Sequence, residues 1–181
     1  LGYTAVGRVL AVGSSVSNVR EGDRVLAPTP HASHTVVASH RLLKAPQACG
    51  PDAALLAHLA SIPMNGVRLA QPRLGEGMVV FGQGLIGALA ARLGYIAGCR
   101  PVLGVDPLPD RRLVAQGRGI IAGDPGVSDP AHVHREHANG RLPDVVIEAT
   151  GTPQVITSAL AVAGPMARVV LLGSPRGRVE I

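Results

Sequence analysis

Ten residues, Met78-Val79-Val80-Phe81-Gly82-Gln83-Gly84-Leu85-Ile86-Gly87, constrain the fold more than any other part of the chain. A short apolar run of strand character passes directly into G-x-G-x-x-G, and a helix-like stretch from Leu85 to Ala97 follows. A second apolar run, Pro101 to Val105, then ends on Asp106. That acid stands about 20 residues beyond Gly87, the spacing expected of a dinucleotide-binding βαβ unit. A lone glycine motif carries little weight in a chain with 23 glycines. Strand, glycines, helix, strand and acid in order are far more specific than a glycine-rich turn of an unrelated α/β protein.

Each position has a physical task in such a unit. Gly82 permits the tight turn out of the strand, Gly84 lets the backbone approach a pyrophosphate, and Gly87 lets the helix pack closely. The first amides of the helix, at Leu85 and Ile86, would face the phosphates with the positive end of the helix dipole. Asp106, at the end of the second strand, would accept hydrogen bonds from the adenosine ribose. It favours NAD over NADP, because a carboxylate repels a 2′-phosphate. Arg111 and Arg112 argue the other way, since arginine suits phosphate.

From residue 78 onward strands and helices alternate. Strands are expected near 78–81, 101–105, 119–122, 144–149 and 167–172, and helices near 85–97, 108–117, 129–139 and 153–163. This order implies a doubly wound parallel sheet with helices on both faces and a ligand at the carboxyl ends of its strands. Residues 1 to about 50 read as β structure: Val6–Val12, Val25–Ala27 and His34–Ala38 are β-rich, with turns at Gly13-Ser14-Ser15 and Glu21-Gly22-Asp23. Pro46–Asp52 reads as a linker. Ala53–Leu69 reads as helical, with a break or kink at Pro63. The expected division is therefore 1–52 and 53–181.

The 181 residues are 46% hydrophobic and 16% charged, a globular balance. Aromatics are only 2%, so the core must be built from aliphatic side chains. No window reaches the roughly 18 uninterrupted apolar residues of a membrane span, and no leader pattern opens the chain. Cys49 and Cys99 form no disulfide framework or metal spacing, which points to a reducing cytoplasm. The formal charge is +5, yet Lys44 is the sole lysine and the arginines are scattered. With almost no aromatic to stack bases, nucleic-acid binding is not expected.

The whole order resembles the medium-chain dehydrogenase/reductase family, the alcohol-dehydrogenase-like proteins. Gly2-Tyr3-Thr4-Ala5-Val6-Gly7-Arg8-Val9 and Glu21-Gly22-Asp23-Arg24-Val25 resemble that family's GroES-like catalytic domain. Leu74-Gly75-Glu76-Gly77, Val146-Ile147-Glu148-Ala149-Thr150-Gly151 and Val169-Val170-Leu171-Leu172-Gly173 resemble its nucleotide domain. The resemblance implies a partial GroES-like domain followed by a Rossmann domain of five strands, an internal piece of the usual family chain. It implies an NAD(P)-dependent oxidoreductase acting on an alcohol, aldehyde or ketone. It places Thr150, Gly151 and Gly173 beside the nicotinamide, Arg111 near the adenosine ribose, and Glu148 in a structural role. Family members commonly dimerise through a sixth-strand edge, so a homo-oligomer belongs to the expectation, although five strands are counted here. Two alternatives stand beside this reading: an enoyl or quinone reductase of the same family, and a dinucleotide-binding module without catalysis.

Zinc is not expected. A catalytic zinc needs three protein ligands of Cys, His or acid type. The resemblance aligns those positions with Tyr3, beside Thr4, and with Ala57 or His58. Tyr3 reads as a satisfied buried phenol before a proton donor, and His31 and His34 as an ordinary polar loop before a substrate-side group. His132, His134 and His137 lie on diverging helix faces, which reads as a solvated face and not a metal cluster. No catalytic residue is assignable from the sequence.

Overall fold

The structure, a computed structural model, describes residues 2–116, 119–175 and 177–179. The chain divides into two units, Leu1–Ser61 and Ile62–Ile181.

In the first unit, β1 (Ala5–Arg8) pairs antiparallel with β2 (Arg24–Ala27), which pairs antiparallel with β3 (Leu43–Lys44). Gly22 at φ +86° makes the turn before β2, where the Gly22 amide donates to the Val9 carbonyl at 2.9 Å. The Lys44 ammonium meets the Asp23 carboxylate at 2.7 Å. That contact and the Arg20 amide hold the Asp23 carboxyl below its usual range. The β-rich reading of residues 34–38 needs correction. They form no strand, a single turn of 3₁₀ helix follows at Ser39–Arg41, and Val36 is fully exposed. β-branched residues without a neighbouring strand have no ladder to join.

α1 (Pro51–Ala70) contains Pro63, and the helix does not break there. It begins at Pro51, inside the stretch expected to be a linker. Proline removes one intrahelical bond, but the helix continues to residues that bury Val67 and Ala70.

The second unit is a five-stranded parallel sheet. In chain order the elements are β4 (Met78–Phe81), α2 (Leu85–Ile96), β5 (Val102–Val105), α3 (Pro109–Gln116), β6 (Ile121–Gly123), α4 (Pro130–His137), β7 (Val145–Glu148), α5 (Pro153–Val162) and β8 (Arg168–Leu171). All five expected strands and all four expected helices are present near their expected bounds. The strand order is β6-β5-β4-β7-β8. Strand β4 is central: the chain first winds outward through β5 and β6, then returns to the other side of β4 as β7. The crevice for a ligand opens where this order reverses, between the carboxyl ends of β4 and β7.

Strands β4, β5 and β7 are buried along their whole length, as strands covered on both faces must be. Met78, Val80, Val102, Val145 and Ile147 pack with Ala90 and Ala91 of α2 on one face. Val79, Phe81, Leu103, Val105 and Val146 pack with Ala131 of α4 and Ala159 of α5 on the other. Burying each such aliphatic side chain stabilises the fold by roughly 1.5–3 kcal/mol. The small alanines of α2 bring the helix close to the sheet and set its first turn over the carboxyl end of β4. No helix among the described residues is long and apolar enough to cross a membrane.

Candidate dinucleotide site

The loop between β4 and α2 contains three glycines whose surroundings differ. Gly82 sits at φ +85°, a left-handed conformation that favours glycine. A Cβ there would also press on Thr150 Cγ2 at 2.9 Å and the Ala149 carbonyl carbon at 3.3 Å. At Gly87 a Cβ would fall within the Gly82 carbonyl oxygen and meet Ala149 Cβ at 3.4 Å. Both are glycines because the protein itself fills the space. Gly84 is different. Its φ of −66° is ordinary for any residue, and a Cβ would meet nothing nearer than Arg111 Nη1 at 3.9 Å. The fold leaves that position open.

Gly84 is also the N-cap of α2 and gives it no side-chain hydrogen bond. Ala88 is the first residue of the helix whose amide returns to the chain, donating to the Gly84 carbonyl at 2.9 Å. The amides before it, at Leu85, Ile86 and Gly87, belong to the first turn, which has no intrahelical acceptors. Open space, uncapped amides and the positive helix end coincide there, which fits a pyrophosphate.

Asp106 follows β5 and is buried, with 2% of its surface exposed. Its Oδ2 accepts from the Gln83 amide at 2.7 Å and its Oδ1 from the Leu108 amide at 2.9 Å. The acid thus fixes the glycine loop from the neighbouring strand. A carboxylate offers about four acceptor positions, and with Arg111 Nη1 also donating to Oδ2 one remains for a hydroxyl group. Arg111 Nη1 lies 3.4 Å from Oδ2, and Arg111 is half exposed. Arg112 faces elsewhere: it donates to the Asp106 carbonyl at 2.8 Å and pairs with Asp124 at 2.8 Å. Of the two arginines, Arg111 is therefore the one beside the acid.

At the end of β7, Glu148 is fully buried. Its Oε1 accepts from the Thr150 amide at 2.5 Å, the Gly151 amide at 3.2 Å and the Thr150 hydroxyl. Its Oε2 has no hydrogen-bond partner among the described residues and lies against Gly173, where a Cβ would collide with it and with the Gly151 backbone. The structure thus brings Thr150, Gly151 and Gly173 together around one carboxylate. Gly151 has φ +69°, and a Cβ there would also meet the Ser174 carbonyl oxygen at 2.8 Å. A cleft of about 510 Å³ opens beside this loop, with Gly82, Val105, Pro107, Pro125, Thr150 and Val155 in its wall.

Sequence reading did not find Gln83. Its side chain is 3% exposed and turns inward, donating to the Val80 carbonyl at 3.0 Å and the Gly82 carbonyl at 3.1 Å. It occupies the space where a Cβ at Gly104 would stand. The signal was available: a glycine inside an apolar strand marks the close approach of another group.

The histidine reading is corrected in part. His132 is exposed and pairs with Glu136, and His137 Nδ1 lies 2.9 Å from the Val133 carbonyl. His134 is not on a solvated face. It is fully buried, its Nδ1 lies 3.0 Å from the Arg141 carbonyl, and its Nε2 has no hydrogen-bond partner among the described residues. Burial pushes its pKa below the usual histidine value, against the opposing pull of the Arg141 carbonyl and Asp144. Gly77, which lacks a Cβ, makes the room for its ring.

Among the described residues no three His, Cys, Asp or Glu side chains stand close enough to hold a metal ion. The buried-phenol reading of Tyr3 is corrected: the residue is exposed, with its ring centroid 6.0 Å from that of His58. Of Tyr3, Thr4, Ala57 and His58, the residues at the positions the family resemblance points to, only His58 is of a type that ligates zinc.

The family model described as zinc-binding dehydrogenase matches residues 85–181, just over half of the chain. The chain belongs to that family. It is 33% identical to the D-guloside 3-dehydrogenase of Escherichia coli (strain K12) over 165 residues, covering 88% of this chain and 47% of that protein. It is 26% identical to the (R,R)-butanediol dehydrogenase of Bacillus subtilis (strain 168), covering 88% of this chain and 54% of the relative. The chain thus spans about half the length of the curated relatives it matches. Among solved structures, alcohol dehydrogenase TADH from Thermus sp. ATN1 superposes with a TM-score of 0.82 at 25% identity, over 98% of this chain and 62% of that one. The 2R,3R-butanediol dehydrogenase from Bacillus subtilis gives 0.83 at 25% identity, over 97% and 58%. The fold is thus Rossmann-type α/β preceded by part of a GroES-like β domain.

Proposed function

We propose that this chain is the cofactor-binding part of an NAD(P)-dependent oxidoreductase that moves a hydride between nicotinamide and an alcohol, aldehyde or ketone, with NAD preferred. The observation that carries the reading is the open Cβ position of Gly84 at the uncapped start of α2, beside a buried acid at the end of β5. The membership of the chain in the zinc-binding dehydrogenase family supports it.

In this reading Gly84, Leu85, Ile86 and Gly87 hold the pyrophosphate through backbone amides, and Gly82 sets the turn that presents them. Asp106 accepts from a ribose hydroxyl while its bond to the Gln83 amide keeps the loop in place. A 2′-phosphate would have to approach this buried carboxylate, which favours NAD. Arg111 neutralises part of the acid's charge and lies along the cofactor path. Adenine enters the cleft beside Pro107 and Pro125. Thr150, Gly151 and Gly173, held by Glu148, present backbone at the nicotinamide end. When bound, the nicotinamide supplies or accepts the hydride, and the protein orients it and excludes water. Residues 1–52 are taken as part of the substrate-side domain and 53–181 as the cofactor domain.

Titration of the purified chain with NADH and with NADPH, read by nicotinamide fluorescence, tests this. The chain has no tryptophan, so the signal is direct emission. Saturable enhancement, tighter for NADH, is expected. A folded chain that binds neither would overturn the reading.

A further inference from the structure

A second concave site lies at the opposite edge of the parallel sheet, near the amino ends of β5 and β6. It is a pocket of about 360 Å³ whose wall includes Arg100, Gly119, Ile121, His137, Asn139 and Arg141, and no carboxylate. Arg100 is fixed there. Its Nη1 donates to the Tyr95 carbonyl at 2.8 Å and the Cys99 carbonyl at 2.6 Å, and its guanidinium lies 3.4 Å from the Tyr95 ring centroid. Two backbone anchors and a stacked ring preorganise the group, so little rotamer freedom remains to be lost on binding. Asn139 at φ +51° and Gly140 at φ +80° turn the chain sharply after α4, and Arg141 follows them at the pocket rim.

The acids of this edge are already engaged. Asp144 Oδ2 accepts from the Gly77 amide at 2.8 Å. Glu76 pairs with Arg168 and accepts from the Arg73 amide at 2.8 Å. Neither Arg100 nor Arg141 has an ion-pair partner among the described residues. Arg141 Nη2 donates to the Gly75 carbonyl at 3.5 Å, which leaves its other donors for a ligand. Both arginines line a concavity with no carboxylate among its described wall residues, a positive surface that attracts an anion. Arginine's forked donors match the oxygens of phosphate.

We infer that this pocket is an anion site for a phosphate group, held between Arg100 and Arg141 and separate from the dinucleotide cleft. The site does not depend on the function proposed above, because none of its residues belongs to the glycine loop.

Titration of the ¹⁵N-labelled chain with inorganic phosphate, against chloride at equal ionic strength, tests it by amide chemical shifts. Saturable shifts at Gly119, Ala138 and Asn139 are expected with phosphate and not with chloride. Arg141→Gln should weaken phosphate binding about tenfold, the loss of one charge-assisted contact, while NADH affinity is unchanged. Arg100→Gln should do the same. Should its lost carbonyl anchors unfold it, Arg141→Gln alone decides. A parallel titration with glycerol phosphate separates the sources: tighter binding assigns the pocket to a phosphorylated metabolite, equal binding to free phosphate. Shifts confined to residues 82–87, equal shifts with chloride, or an unchanged affinity in Arg141→Gln would each overturn the inference.

Discussion

The two ends of β4 carry glycines with opposite reasons. At the amino end, Gly77 is filled by its own protein: the buried His134 ring occupies the place of a Cβ, while Asp144 accepts from the Gly77 amide. At the carboxyl end, Gly84 is filled by nothing. The amino end is a lock, in which Asp144, His134 and the Glu76–Arg168 pair fasten the lead-in to the strand. The carboxyl end is a frame, in which Asp106 and Glu148 fasten loops around space that the chain does not use. A glycine that the fold requires speaks of packing, and a glycine that it does not require speaks of a ligand.

The contrast can be broken most directly inside the loop itself. Gly87→Ala drives a methyl into the Gly82 carbonyl, backbone against backbone, with no flexible group to yield. A loss of about 3 kcal/mol or more in urea unfolding is expected, at the upper end for overpacking. Wild-type stability would show that the loop relaxes, and the distinction from Gly84 would collapse.

Asp106→Ala comes next. It leaves the Gln83 and Leu108 amides without their acceptor, at a cost of about 2 kcal/mol. In the same variant the preference for NADH over NADPH should narrow in parallel titrations. Unchanged stability together with unchanged preference would remove Asp106 from both roles.

At the amino end, Gly77→Ala should cost about 1.5 kcal/mol by crowding His134. In a His134→Ala background the added cost should largely vanish, since the colliding ring is gone. Additive losses in this cycle would mean that the ring does not set the glycine requirement.

The smallest effect concerns pH. His134 has a folded pKa below its unfolded value of about 6.5. Protonation therefore favours the unfolded chain. The neutral form's stability is fully present above pH 6.5 and is lost as pH falls through the window below it. Stability measured from pH 7 down to pH 5 should decline more steeply in the wild type than in His134→Gln. Parallel profiles would contradict this assignment.

The sheet was legible in the sequence because a strand buried on both faces leaves a near-continuous apolar run, as in Met78–Phe81 and Val145–Glu148. The glycine loop and Asp106 were legible because the turn, the helix start and the acid lie at fixed distances along the chain. Residues 34–38 misled because β propensity describes a side chain on a pleated surface, and no neighbouring strand provides one there. The break expected at Pro63 does not occur, because a proline weakens a helix by one bond, which the buried residues beyond it outweigh. His134 was hidden for another reason. Its burial depends on the missing Cβ of Gly77, far away in sequence, and spacing on one helix cannot report that. The same holds for Arg100 and Arg141, which are ordinary scattered arginines until the fold puts them in one pocket.

The central claim is that Gly84 is reserved for a ligand. The measurement that tests it is a paired one on Gly84→Val: urea stability and NADH affinity against the wild type. Stability within about 1 kcal/mol, the span for exchanging N-cap residues, with NADH binding abolished, is the result this account predicts. A variant that unfolds, or one that stays folded and still binds NADH with wild-type affinity, would contradict it.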